Sequence, residues 1–246
     1  FSPEEFDWLA TRIDRSSRNI CALKISPTRA WFSRLASHLQ RDAYRPVYSA
    51  QEMVATLVGD TRIVERLPFI SVDRVQRALR EKELQPGDII LERRNWYLSN
   101  AFLPGFWPHA ALYIGTPEQL AGLGINQQNA GRAWAAYRQP DHGRPRVILE
   151  AVSDGVGFHS AEHSLSADYV MVLRPNLPSE KIAQAIRRAF SHHGKPYDFS
   201  FDFSTSDKIV CSELVYHAYD GLLDFKLETV LGKSVVTPLG IARKFA

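Results

Sequence analysis

The sequence predicts an α+β protein, with a helical accessory region over residues 1–83 joined to a mixed domain over 84–246. Three observations predict it. The first third carries helix-start signals ahead of apolar residues at helical spacing. At Leu84-Gln85-Pro86-Gly87-Asp88 the texture changes, and a Pro-Gly turn runs into Ile89-Ile90-Leu91. Beyond it, short apolar runs of strand length precede two strongly periodic helical stretches.

Each element has its own warrant. Ser2-Pro3-Glu4-Glu5 supplies an N-cap, a proline at the first helical position and a capping-box glutamate, followed by Phe6, Leu9 and Ile13 on one face. Further helices are expected after Ser26-Pro27, after Ser49, and from about Ser71, where Val72, Val75 and Leu79 recur. Strands are expected at 88–93, 109–115, 146–152 and 168–174, and the glycine-rich stretch 117–143 reads as a partly helical insertion. A helix opens at Ser179, turns Ile182, Ile186 and Phe190 inward and ends near Gly194. Another opens near Cys211 with Leu214, Val215, Ala218 and Tyr219 as its apolar stripe, and Thr237-Pro238 begins a short last helix.

Composition bounds the function. With 45% hydrophobic and 23% charged residues in 246, the chain can bury a sizeable core, which excludes general disorder. No run of about 18 apolar residues appears, so no bilayer span is expected. The chain opens at Phe1 with no basic stretch followed by an apolar segment, so no signal peptide is visible. Residues 1–83 hold 14 Lys or Arg against 11 Asp or Glu, and 84–246 hold 16 of each, so no concentrated basic footprint for nucleic acid exists. The mild basicity of the first third suits a solvated helical face or a peripheral contact with an anionic membrane. Cys21 and Cys211 are too few for a disulfide framework and too far apart for a zinc motif.

Three residues stand where packing alone does not call for them. Cys211 follows the apolar lead-in Ile209-Val210 and begins a helix, where free amides and the macrodipole lower a thiol pKa and can hold an oxyanion. His109 opens the strand Ala110-Ala111-Leu112-Tyr113-Ile114. Glu150 interrupts the run Val147-Ile148-Leu149 and Ala151-Val152, where an unpaired carboxylate is costly. Neighbouring strands would let Glu150 accept the His109 Nδ1 proton, leaving the other ring nitrogen for Cys211, a nucleophile, base and orienter triad. His159-Ser160-Ala161-Glu162-His163 matches the H-x-x-E-H pattern of inverted zincins, but barely two helical turns are available to carry it. The segment 95–108 holds five aromatics, Trp107 among them, and reads as a loop over the sheet or as the wall of an apolar cleft.

The order of these blocks carries a resemblance. Pro86-Gly87-Asp88-Ile89-Ile90, then His109 to Gly115, Leu149-Glu150-Ala151, Gly194-Lys195-Pro196-Tyr197-Asp198-Phe199 and Val210-Cys211-Ser212-Glu213-Leu214-Val215 are similar to the YaeF/YiiX-type permuted papain-like amidases. These are relatives of NlpC-type cell-wall cysteine peptidases and of the lecithin retinol acyltransferase group. The histidine precedes the cysteine, the permuted order, and the resemblance spans about residues 84–221.

The resemblance implies a permuted papain-like, NlpC-like fold in which a central antiparallel sheet packs on the helix of Cys211. It implies Cys211 as nucleophile, His109 as base and then acid, and Glu150 as the residue that orients the histidine. Tyr197 borders the cysteine in similar enzymes, where it contacts substrate or simply packs, and Ser212 and Trp107 are the further substrate-binding candidates. Asp88 reads as a turn cap. The implied reaction is cleavage of an amide or peptide bond through a thioester, with a bacterial cell-wall peptide as substrate and no metal or organic cofactor. The compartment is left open between the bacterial cytoplasm and the cell envelope. Two rivals are a lipid esterase or acyltransferase using the same site, and a domain of this fold that only binds.

Overall fold

In a computed structural model of the chain, residues 67–95, 105–199, 207–230 and 233–246 are described. The helices expected after Ser2, Ser26-Pro27 and Ser49, the cysteine Cys21 and most of the aromatic segment 95–108 lie outside them.

Five strands form one antiparallel sheet: β1 (Ile89–Arg93), β2 (His109–Tyr113), β3 (Arg146–Val152), β4 (Gly155–Ser160) and β5 (Tyr169–Leu173), in the spatial order β4-β3-β2-β1-β5. Four of them fall on the expected runs, β3 without change and β1, β2 and β5 trimmed by a residue or two. β4 was not expected, because Gly155-Val156-Gly157 reads as a turn. Gly155 in fact sits at φ +104, and a Cβ there would meet the Lys195 carbonyl oxygen at 2.5 Å. Only glycine lets the backbone at 194–196 lie against this strand, through Val156 N–H to Lys195 O and Gly194 N–H to Val156 O, both 2.9 Å. A small hairpin, β6 (Glu228–Val230) with β7 (Lys233–Val235), was likewise not expected.

Strand alternation sorts the residues onto two faces. On one, Leu91, Ala110, Leu112, Leu149, Ala151 and Phe158 belong to a core to which α5 (Ser179–Ser191) and α6 (Cys211–Ala218) contribute most of the helical residues. α5 buries Ile182, Ala183, Ile186, Ala189 and Phe190, the i, i+1, i+4, i+7, i+8 stripe of an amphipathic helix. On the other face Ile90, Ala111, Tyr113 and Ile148 meet Val75 of α1 (Val72–Arg80) and Ala161 of α4 (Ala161–Ser164). The helix expected from about Ser71 is α1, with Ser71 as its N-cap. The 117–143 insertion contains α2 (Pro117–Gly122), closed by a Thr116/Gln119 capping box, and α3 (Ala133–Tyr137). A last helix, α7 (Pro238–Lys244), follows its Thr237 cap. Among the described residues no helix is long and apolar enough to cross a membrane.

The Pro-Gly turn before β1 is tied down twice. Asp88, 1% exposed, accepts the Gln85 N–H at 2.8 Å as the expected turn cap. It also takes two bonds from the Arg174 guanidinium, at 2.8 and 2.7 Å. The Tyr219 hydroxyl, at the end of α6, donates to the Gly87 carbonyl, which docks that helix onto the turn.

Candidate active site

The side chains that could react converge at the open end of β2. In the strand register Glu92 stands opposite His109, Ala111 opposite Glu150, and Ile148 opposite His159. Because opposed residues share a face, Glu92, His109, Glu150 and His159 all lie on the α1/α4 side of the sheet. Cys211 comes from the opposite layer, where it belongs to the core built on α5 and α6. His109 is the first residue of its strand, so its ring stands at the strand end and can meet a sulfur arriving from the other side.

That meeting takes place. The Cys211 sulfur is hydrogen-bonded to the His109 ring and accepts the backbone N–H groups of Ala110 and Ser212. Burial alone would raise its pKa, but the imidazole and the two amides outweigh it and hold the thiol below its usual range. Desolvation likewise opposes charge on His109, yet the sulfur, Glu150 and Glu92 together hold the imidazole well above its usual value. Sulfur and ring favour the thiolate–imidazolium form.

The ring is turned the opposite way from the sequence expectation. Nε2, not Nδ1, contacts Glu150, at 2.7 Å from Oε2, which leaves Nδ1 for the sulfur. The physical reason is reach. The sulfur lies against the Ala110 amide, close to the main chain, where the near nitrogen serves it, whereas Glu150 is on the next strand and needs the far one.

Glu150 is 2% exposed, and an uncompensated carboxylate there would cost several kcal/mol. It is compensated on both oxygens. Oε2 meets His109, while Oε1 accepts the Ser164 hydroxyl of α4 and lies 2.9 Å from His159 Nδ1, a contact poorly aligned for a hydrogen bond. Burial pushes its pKa up, but the two imidazoles prevail and hold the carboxyl well below its usual range.

Glu92 was missed in the sequence. It is 3% exposed, its Oε1 lies 3.5 Å from His109 Nε2, and its Oε2 lies 3.3 Å from Arg94. The signal was present: a carboxylate ending the apolar run Ile89-Ile90-Leu91, the same anomaly that marks Glu150. The ligand atoms of Glu92, His109 and Glu150 all lie within 4.8 Å of one another. The three form a charge cluster in which Glu150 is hydrogen-bonded to the ring and Glu92 stands in ion-pair contact with it.

Tyr197 reaches the sulfur as well. It forms a parallel bridge with Ile209, two residues before the cysteine, and its hydroxyl is hydrogen-bonded to Cys211. Desolvation, the sulfur and Asp198 keep that hydroxyl protonated far above its ordinary pKa, so it acts as a donor. Ser212 is buried at the second position of α6, and its amide faces the sulfur. The helix start is fixed by Glu213, fully buried, which accepts the Val210 N–H at 3.2 Å. Trp107 is packed in the larger core, to which Cys211 also belongs, edge-on to Phe106 at 4.9 Å. Phe106 is the exposed member of that pair and lies against Tyr169 at 5.3 Å.

The H-x-x-E-H residues do not share a helix. His159 is on β4 and His163 on α4, their rings stacked at 5.0 Å, and Glu162 is paired with Arg144 at 2.6 Å. The geometry of an inverted zincin is therefore not formed.

Comparison with known proteins adds an independent finding. Residues 83–241 match the family model described as permuted papain-like amidase enzyme, YaeF/YiiX, C92 family. No curated protein and no solved structure matches the chain.

Proposed function

The chain belongs to the permuted papain-like amidases of the YaeF/YiiX type, thiol-dependent hydrolases, and from that premise we propose that Cys211, His109 and Glu150 carry out its reaction on a peptide amide. The observation that carries the reading is the continuous chain of contacts from Cys211 sulfur through the His109 ring to Glu150 Oε2.

The thiolate of Cys211 attacks the amide carbonyl carbon, and the negative charge passes to the carbonyl oxygen. Amide donors at the start of α6 and the Tyr197 hydroxyl hold that oxyanion. His109 Nδ1–H gives its proton to the departing amine, the C–N bond breaks, and a thioester remains. The neutral ring then takes a proton from water, whose oxygen attacks the thioester; the acid leaves and the thiolate is restored. Glu150 acts through His109 Nε2, fixing the ring and stabilising its charged form. A cell-wall peptide is the substrate that the NlpC relationship favours.

The test is acyl-enzyme trapping, followed by intact-mass spectrometry, with a cell-wall-type peptide amide and a lipid ester offered separately. Peptide-derived mass on the wild type, absent from Cys211→Ala, is expected, and His109→Ala should slow its formation at least ~10²-fold. Trapping by the lipid ester alone would replace the peptidase reading with that of a lipid esterase or acyltransferase. No adduct with either, alongside slow thiol alkylation, would leave a domain that only binds.

A further inference from the structure

The reaction just described uses one carboxylate, yet the imidazole faces two. We propose that Glu92 is a second positioning carboxylate for His109, keeping the imidazolium charged to higher pH than Glu150 would alone. The proposal rests on the reading of His109 as the general base.

Geometry supports it first. Glu92 is the residue of β1 directly opposite His109, so the pairing register of the sheet fixes it beside the ring. Its Oε1 lies 3.5 Å from Nε2, on the same nitrogen that Glu150 reaches at 2.7 Å. Arg94, on the far side, contacts Glu92 at 3.3 Å and is itself anchored by the carbonyls of Ser164 and His163, at 3.0 and 3.3 Å.

Charge counting supports it next. With the sulfur as thiolate, the cluster holds three potential anions, Cys211, Glu150 and Glu92, against two cations, His109 and Arg94. A proton on Glu92 relieves the surplus, and burial, aided by Glu150, does push that carboxyl up against the pull of Arg94 and His109. The charged and titratable groups facing Glu92 are thus Arg94, just past the end of β1, His109 on β2 and Glu150 on β3. Beyond Glu150 lie His159 of β4 and His163 of α4, while the residue opposed to Glu92 on β5 is the apolar Val170. When Glu92 is ionised its charge lies beside Nε2 and opposes loss of the imidazolium proton.

Two variants separate this field from mere packing. Glu92→Gln removes the anion and should lower the His109 titration by about one pH unit, while Arg94→Gln removes the opposing cation and should raise it by a similar amount. The readouts are the ring resonances of His109 by NMR and the alkaline limb of Cys211 alkylation, both on the full chain. Shifts of opposite sign are the expected result, because loosened packing would move both variants the same way. No shift, or shifts of one sign, would overturn the proposal. If Glu92→Gln does not fold, Glu92→Asp decides: its anion sits farther from the ring, so a His109 titration lowered by less than about one pH unit supports the proposal and an unchanged one overturns it. Neither readout needs turnover, so an inactive enzyme would count against His109 as base and leave the role of Glu92 independently tested.

Discussion

His109 Nε2 and Glu150 Oε2 lie 2.7 Å apart across neighbouring strands, and the carboxylate that makes this contact is almost wholly removed from water. The pair fixes the tautomer in which Nδ1 faces the sulfur. Glu150→Gln keeps the shape but removes the charge and permits the wrong tautomer. It should lower kcat by about 10²- to 10⁴-fold with a much smaller change in KM. Steady-state kinetics, with circular dichroism to check folding, measures this.

The thiol pKa is lowered and the imidazole pKa raised, each in part by the other's charge, and both shifts favour the ion pair. Iodoacetamide should therefore label Cys211 on an acid limb lying below the ordinary thiol value of about 8.5. His109→Ala removes the stabilising charge and should return that limb toward, or past, the ordinary value. An unchanged limb in His109→Ala would remove the histidine from its proposed role.

Asp88 holds the turn before β1 and is buried, while its partner Arg174 is close to half exposed. Breaking a fully buried pair costs about 3–5 kcal/mol, but here the released guanidinium returns to water. Asp88→Ala should thus destabilise the fold by about 2–3 kcal/mol, read as a lower urea midpoint at unchanged slope.

His192 closes α5 half-buried, and desolvation, with Lys195 and His217 nearby, pushes its pKa down to about 4. Below the unfolded value of about 6.5 the unfolded chain binds this proton before the folded one does, so stability falls as pH drops from there toward 4. In His192→Gln the fall in Tm between pH 7 and pH 5 should be smaller than in the wild type. Identical falls would mean that other groups dominate acid lability.

Much of this was legible because the site residues break local rules. Cys211 at a helix start, His109 at the head of an apolar strand and Glu150 inside another are each anomalous as packing, and their order along the chain fits one permuted family. Glu92 has the same signature, but its meaning depends on β1 pairing with β2 in one register, which the intervening aromatic segment does not announce. His159 was visible only as part of a metal pattern, since β4 has two glycines where alternation would have revealed a strand. The ring orientation of His109 was out of reach, because it follows from how close the sulfur comes to the Ala110 amide.

The His109 imidazole and the carboxylates beside it sit on strands finished by residue 152, whereas the sulfur enters only with the helix that begins at residue 211. A ribosome therefore completes the proposed proton-handling residues before it adds the sulfur, and a nascent chain that has not reached residue 211 holds no His109–Cys211 pair. The same separation marks where the protein could be cut into two inert pieces whose reunion restores a thiolate, a split reporter built into its own chain order.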